Sequence, residues 1–210
     1  MPTTAGPPVA HEPSPGVRRA LRLVMFSVVF GLASGAVSVT AGVRGHSLGV
    51  FAVGLGVLAD VTGSATLIWR FRAELTNPAL SGSREWRSAV IIGFALAGTA
   101  IVLAAESAIA LADRSYPAAS AVTLTAASVS LLVLTPLAIA KRRLGTRMNS
   151  RALQGDAALS GLGAVVSFLA IIALILYRLL GWWWADRVTG LIVAAAAGIE
   201  AWRTIPSRQH

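Results

Sequence analysis

The sequence predicts an all-α membrane protein of six transmembrane helices with both termini in the cytoplasm. Three observations carry that prediction. The 210 residues are 55% hydrophobic and only 13% charged, too apolar for a soluble domain of this size. Six apolar stretches, each close to the roughly 20 residues a span needs, are separated by short polar breaks. The basic residues crowd onto alternate breaks, which is the signature of cytoplasmic loops.

The expected spans are 20–43, 46–69, 88–111, 118–140, 152–180 and 185–202, which make 18–203 a single transmembrane domain. Residues 1–17 hold five prolines and no apolar periodicity, so a disordered cytoplasmic tail is expected there, with a short second tail over 204–210. Arg18-Arg19 before an apolar run, with Val39-Thr40-Ala41 after it, also fits a cleavable signal. Against that, the run is as long as a span, and removing it leaves five spans and spoils the charge asymmetry.

In the first span Gly31 and Gly35 form a GxxxG pair, with Ser34 and Ser38 on a neighbouring stripe. Small residues let helices approach closely in lipid, where packing replaces the hydrophobic effect. The second span has a similarly thin surface at Gly49, Gly54, Gly56, Gly63 and Ser64, and carries Asp60 near its centre. The segment Arg70 to Arg87, with Asn77-Pro78 and Ser81-Gly82-Ser83, is expected to be a turn-rich cytoplasmic loop. Glu106 lies late in the third span, and Pro136 marks a point where the fourth can kink. Lys141 to Arg151 is expected to be a short basic connection. The fifth span brings Asp156, Ser160, Gly161, Gly163, Ala164 and Ser167. Trp182, Trp183 and Trp184 after Gly181 fit the aromatic belt at the headgroup level.

The net charge of +9 raises the question of nucleic acid, and its distribution answers it. With the N-terminus inside, 14 basic residues fall on the cytoplasmic side and only Arg44, Arg114, Arg178 and Arg187 on the other. That is the positive-inside rule, with anionic lipid headgroups as the partner and no nucleic acid required. No cysteine is present, which excludes disulfides and thiolate chemistry, and His11, His46 and His210 all lie outside the spans. No nucleophile-base pair, cofactor motif or soluble domain points to an enzyme, and no cofactor is expected. Lys141 is the only lysine among 18 basic residues, a bias that reads as the genome composition of a high-GC bacterium. The expected location is then a bacterial cytoplasmic (inner) membrane, as a multi-pass protein.

Ser47 to Arg70, Leu103 to Asp113, Lys141 to Gly145, and Ala152 to Trp202 with Gly181-Trp182-Trp183-Trp184-Ala185-Asp186 follow one another in an order and spacing that resemble a known family. The chain resembles the transmembrane domain of the cation diffusion facilitator (cation efflux) family, most closely its short bacterial members. The resemblance spans roughly Arg18 to Arg203. It implies six helices, a homodimer, and export of an inorganic divalent cation in exchange for protons. It also implies a tetrahedral site of two residues four apart on the second helix and two four apart on the fifth. Residues at i and i+4 share one helix face, so two facing helices can present four ligands to one ion.

By position those ligands fall on Gly56 and Asp60, and on Leu159 and Gly163; only Asp60 has a ligating side chain. High-affinity zinc binding by the family's chemistry is therefore not expected, and carboxylate, hydroxyl and carbonyl oxygens suit a harder cation. An acid inside a span is costly unless paired or hydrated. Asp60 is either the principal cation or proton carrier or a structural acid paired within the bundle. Asp156, three residues before Leu159, either borders a hydrated vestibule or two-step proton path or is an interfacial acid near Arg151. Glu106 is expected to be structural or to line the outer cavity. Asp113, Asp186 and Glu200 are expected to be solvated or paired with Arg114, Arg187 and Arg203. Family members continue past the sixth helix into a soluble metal-binding domain, and none is expected in the few residues after Trp202. Two roles stay open: a cation transporter, or a transport-inactive relative serving as a membrane partner or regulatory subunit.

Overall fold

The computed structural model describes residues 15–44, 48–76, 81–114, 121–182 and 184–205. Residues 1–14 and 206–210 of the expected tails over 1–17 and 204–210, the three histidines, Asn77-Pro78 and Trp183 lie outside the described residues, as do the side chains of Gly56 and its neighbours 48–55. Among the described residues there are six helices and no strand: α1 (Pro15–Arg44), α2 (Leu48–Thr76), α3 (Ser81–Ala112), α4 (Ala121–Arg147), α5 (Arg151–Leu180) and α6 (Ala185–Thr204). Three of them, over Gly16–Val37, Ser83–Ala112 and Arg151–Leu180, are long and apolar enough to cross a membrane.

The helices outrun the apolar stretches that announce them. α1 begins at Pro15, inside the expected tail, because a proline is accommodated in a first helical turn, and Val17 is already buried. The expected loop from Arg70 to Arg87 is instead mostly helix: α2 continues to Thr76 and α3 starts at Ser81. Likewise, Lys141 to Arg147 is not a connection but the last two turns of α4. An apolar run marks where a helix meets hydrocarbon, whereas the helix itself continues through arginine, glutamate and leucine until a residue of another conformation stops it.

That stop, for α4, is Asn149. Its φ of 49° is left-handed, and the amides of Asn149 and Ser150 bond back to the carbonyls of Thr146 and Gly145 at 3.2 and 2.9 Å. Asparagine tolerates this conformation, and the paired bonds satisfy carbonyls that a helix end leaves open. Ser150 then caps α5, accepting from the Leu153 amide at 3.1 Å. The hairpin is tight enough that Lys141 and Asp156 lie nearly symmetrically about it, each about 8 Å of helix from the turn.

Pairing between helices follows α1 with α2, α4 with α5, and α3 with α6, while α5 also touches α2 and α3. The GxxxG pair does what its spacing promises: a Cβ on Gly31 would fall 2.6 Å from Val61 Cγ2, and one on Gly35 3.1 Å from Val57 Cγ1. Gly155 allows α5 to meet α3 and α6, since a Cβ there would stand 2.6 Å from Thr204 Cγ2 and 2.9 Å from Ile92 Cγ2. A buried core joins Val24, Leu67, Phe71, Ile92, Leu153 and Ala201 from five helices. Large apolar side chains such as Phe26, Phe94, Ile101, Leu132 and Leu179 point outward.

A polar latch closes the core at the α4–α5 hairpin. Arg70, buried on α2, forms an ion pair with Glu85 of α3 and donates to Ser150 Oγ at 2.8 Å. Glu85 in turn accepts from the Ala152 amide at 2.8 Å. The carboxylate so placed meets the positive end of the α5 dipole.

Gly155→Ala is expected to lower the thermal unfolding midpoint in detergent by the equivalent of about 1–3 kcal/mol, because the added methyl overpacks three helices. Gly161→Ala, whose Cβ would find Ala138 at an ordinary 3.8 Å, should be neutral or slightly stabilising. Equal midpoints for the two variants would contradict the packing described.

Candidate functional site

The arrangement at the centre of the bundle is a charge cluster that the sequence does not announce. Lys141 and Asp156 have side chains that are both 0% exposed, with Nζ 2.7 Å from Oδ2. The ammonium also donates to Ser27 Oγ at 2.7 Å, Ser160 Oγ at 3.0 Å and Ser64 Oγ at 3.4 Å. Ser64 donates to Asp156 Oδ1 at 2.7 Å, so one carboxylate oxygen is held by a hydroxyl and the other by the ammonium alone. Four helices contribute: α1 gives Ser27, α2 Ser64, α4 Lys141, and α5 Asp156 and Ser160.

Helix geometry explains the convergence. Ser64 stands four residues after Asp60, and Ser160 four after Asp156, so each pair shares a face. Ser27 stands four before Gly31, on the thin stripe of α1 that lets α2 come close. Lys141 reaches the cluster because the hairpin sets it level with Asp156.

Asp60 occupies the next turn of α2. It is half-buried, its Oδ1 is buried and has no hydrogen-bond partner among the described residues, and it feels the charges of Lys141 and Asp156. The cluster therefore holds two carboxylates and one ammonium. If both acids are ionised, one negative charge at this depth has no fixed counter-charge among the described residues, a costly condition unless a mobile cation or proton joins it.

The sequence-derived candidates divide accordingly. Asp60 and Asp156 are brought to one region, and Asp156 is not an interfacial acid: its side chain is fully buried with Lys141 as its partner, while Arg151 is exposed. Glu106 stands apart. It is half-buried beside Ser107, which packs at Gly190 of α6, and it lies about 21 Å along α3 from Ile92, the residue level with Gly155. Leu159 is buried in the apolar core against Gly63, and Gly163 faces Leu134 of α4. Among the described residues no three of His, Cys, Asp and Glu come together as a metal-binding group. Glu200 pairs with Arg203 at 3.6 Å, as expected. Trp182 and Trp184 are exposed and stacked with centroids 5.5 Å apart.

Lys141 and Ser27 are the residues sequence reasoning missed. The available signal for Lys141 was its singularity. Seventeen other basic positions are arginine, and only an ammonium, a compact charge with three donors, fits a closed shell of oxygens; a planar guanidinium does not.

No protein-family model matches the chain. It is similar to Transmembrane protein 163 of Xenopus laevis, 25% identical over 186 residues, which cover 87% of this chain and 65% of that protein. The chain is a multi-pass membrane protein. Three helices of spanning length and a transmembrane relative agree on this, and the outward apolar side chains fit a lipid surround.

The ion pair yields a stability test. Asp156→Leu leaves a buried ammonium uncompensated and should cost about 3–5 kcal/mol of stability in detergent, whereas Lys141→Met combined with Asp156→Leu removes both charges and should recover most of the loss. A double variant as unstable as the single one would show that the two charges do not act as a pair.

Proposed function

We propose that this chain is a cation transporter of a bacterial cytoplasmic membrane, of the cation-efflux type, with six spans and both termini in the cytoplasm. The observation that carries the proposal is the charge balance at the bundle centre. Asp156 is paired with the Lys141 ammonium, while Asp60, one turn of α2 from Ser64, has a buried Oδ1 without a hydrogen-bond partner among the described residues. Ionisable groups at membrane depth mark ion pathways and proton relays when their charges are incompletely matched. The distribution of basic residues supports the orientation, and it remains one-sided when the buried Arg70 and Lys141 are set aside.

Asp60 is the principal carrier in this reading, of a hard cation or a proton, because its described neighbours offer hydroxyl and carboxylate oxygens. Asp156 is an accessory acid whose charge Lys141 balances. Glu106, far along α3, serves the outer part of the path. The homodimer and exchange against protons follow from the family resemblance.

One observation favours a second reading. The Lys141 ammonium already satisfies Asp156 and three serines, as it would in a relative that kept the fold as a partner or regulatory subunit and lost transport.

Cation flux into proteoliposomes under an imposed pH gradient separates these. Wild-type protein should carry at least one of a panel of divalent and monovalent cations, and Asp60→Asn should reduce that flux to the level of empty liposomes while remaining folded. Normal flux in Asp60→Asn removes Asp60 from the mechanism. No flux from folded wild-type protein, together with co-purification of a specific membrane protein, supports the second reading.

A further inference from the structure

The Lys141 ammonium is coordinated more like an ion than like the head of a side chain. Four oxygens surround it: Ser27 Oγ and Asp156 Oδ2 at 2.7 Å, Ser160 Oγ at 3.0 Å and Ser64 Oγ at 3.4 Å. An ammonium has three donors, so one contact is shared and the shell follows the charge. Its ligands come from α1, α2 and α5, every one on a different helix from Lys141 or separated from it by the hairpin. A carboxylate and hydroxyls are also the ligands that hard cations take. Asp60, one turn from Ser64 on α2, stands outside this shell with a buried oxygen that has no hydrogen-bond partner among the described residues.

We propose that Lys141 is a tethered competitor for a cation site: its ammonium fills the position that a hard divalent cation takes between Asp156, Ser27, Ser64 and Ser160, one turn of α2 from Asp60, and an incoming cation displaces it. Charge supports the exchange. The exchange balances when the displaced Lys141 leaves as the neutral amine and passes its proton to solvent: the divalent ion then sets two positive charges against Asp156 and the nearby Asp60, where the ammonium alone leaves one carboxylate unmatched. When no cation is bound, the tethered charge spares the bundle a bare Asp156, whose burial alone would be costly. The role of this exchange in a transport cycle rests on the transport reading, but the site rests on the geometry alone.

The test uses full-length protein in detergent with Mn2+ as the probe, a hard divalent ion whose free concentration is read by electron paramagnetic resonance. Lys141→Gln, which removes the charge and keeps hydrogen-bonding length, should bind one Mn2+ per chain at least about tenfold more tightly than wild type. Adding Asp156→Asn should abolish that gain. Mn2+ should also raise the unfolding midpoint of Lys141→Gln more than that of wild type, since a ligand stabilises the state it binds. Binding by Lys141→Gln no tighter than by wild type, or retained in full by the double variant, overturns the proposal. If Lys141→Gln does not fold by itself, purification in Mn2+ should restore monodisperse protein, and failure of Mn2+ to restore it counts equally against the site. Asp60-dependent flux in wild type without the gain in Lys141→Gln leaves transport standing and removes the competitor. The gain without any wild-type flux does the reverse.

Discussion

The buried pair between Lys141 and Asp156 is the constraint on which the rest of this bundle depends. Two opposite charges with no exposed surface are tolerable only when their attraction and their hydrogen bonds offset desolvation. The bundle meets that condition with three serines from three helices, each directed at the ammonium. Every helix that touches the cluster is thereby fixed in rotation as well as in distance. Ser27 must face inward on α1, Ser64 on α2 and Ser160 on α5. The lipid-facing surfaces are then apolar largely because the polar groups of these helices have been claimed by the interior.

Local structure serves that pair at both ends of the argument. The left-handed Asn149 closes the α4–α5 hairpin, and the latch of Arg70, Glu85 and Ser150 holds α2 and α3 against the first turn of α5. Close packing at Gly31, Gly35 and Gly155 brings the backbones near enough for short serine side chains to reach the centre. A longer residue at any of those positions would move a helix away from the charges before it met a neighbour.

The helical class was legible in the sequence because apolar runs near spanning length recur with little else between them. The same signal misplaced the helix ends. Hydropathy falls at Trp69 and Ala140 and so places Arg70 and Lys141 in cytoplasmic connections, although the helices continue past both. This error hid the site. Asp60 and Asp156 are visible as acids within apolar segments, and the i, i+4 partners Ser64 and Ser160 share their faces. The residue that unites them is a lysine whose burial depends on the conformation of Asn149, eight residues away, and on a helix packed across the bundle. No one-dimensional pattern expresses that dependence. The family positions on α5, Leu159 and Gly163, pack against apolar surface and lie about one turn beyond Asp156 and Ser160.

Lys141 is the only lysine in the chain, which makes the central claim directly observable. Selective 15N labelling of lysine gives one side-chain nitrogen resonance, and nuclear magnetic resonance reports its charge and the exchange of its protons with water. A buried ammonium bonded to Asp156 and three serines predicts a charged nitrogen whose protons exchange slowly, with a resonance that moves in Asp156→Asn. A fast-exchanging, solvent-like signal that is the same in Asp156→Asn would contradict the buried pair and the account built on it.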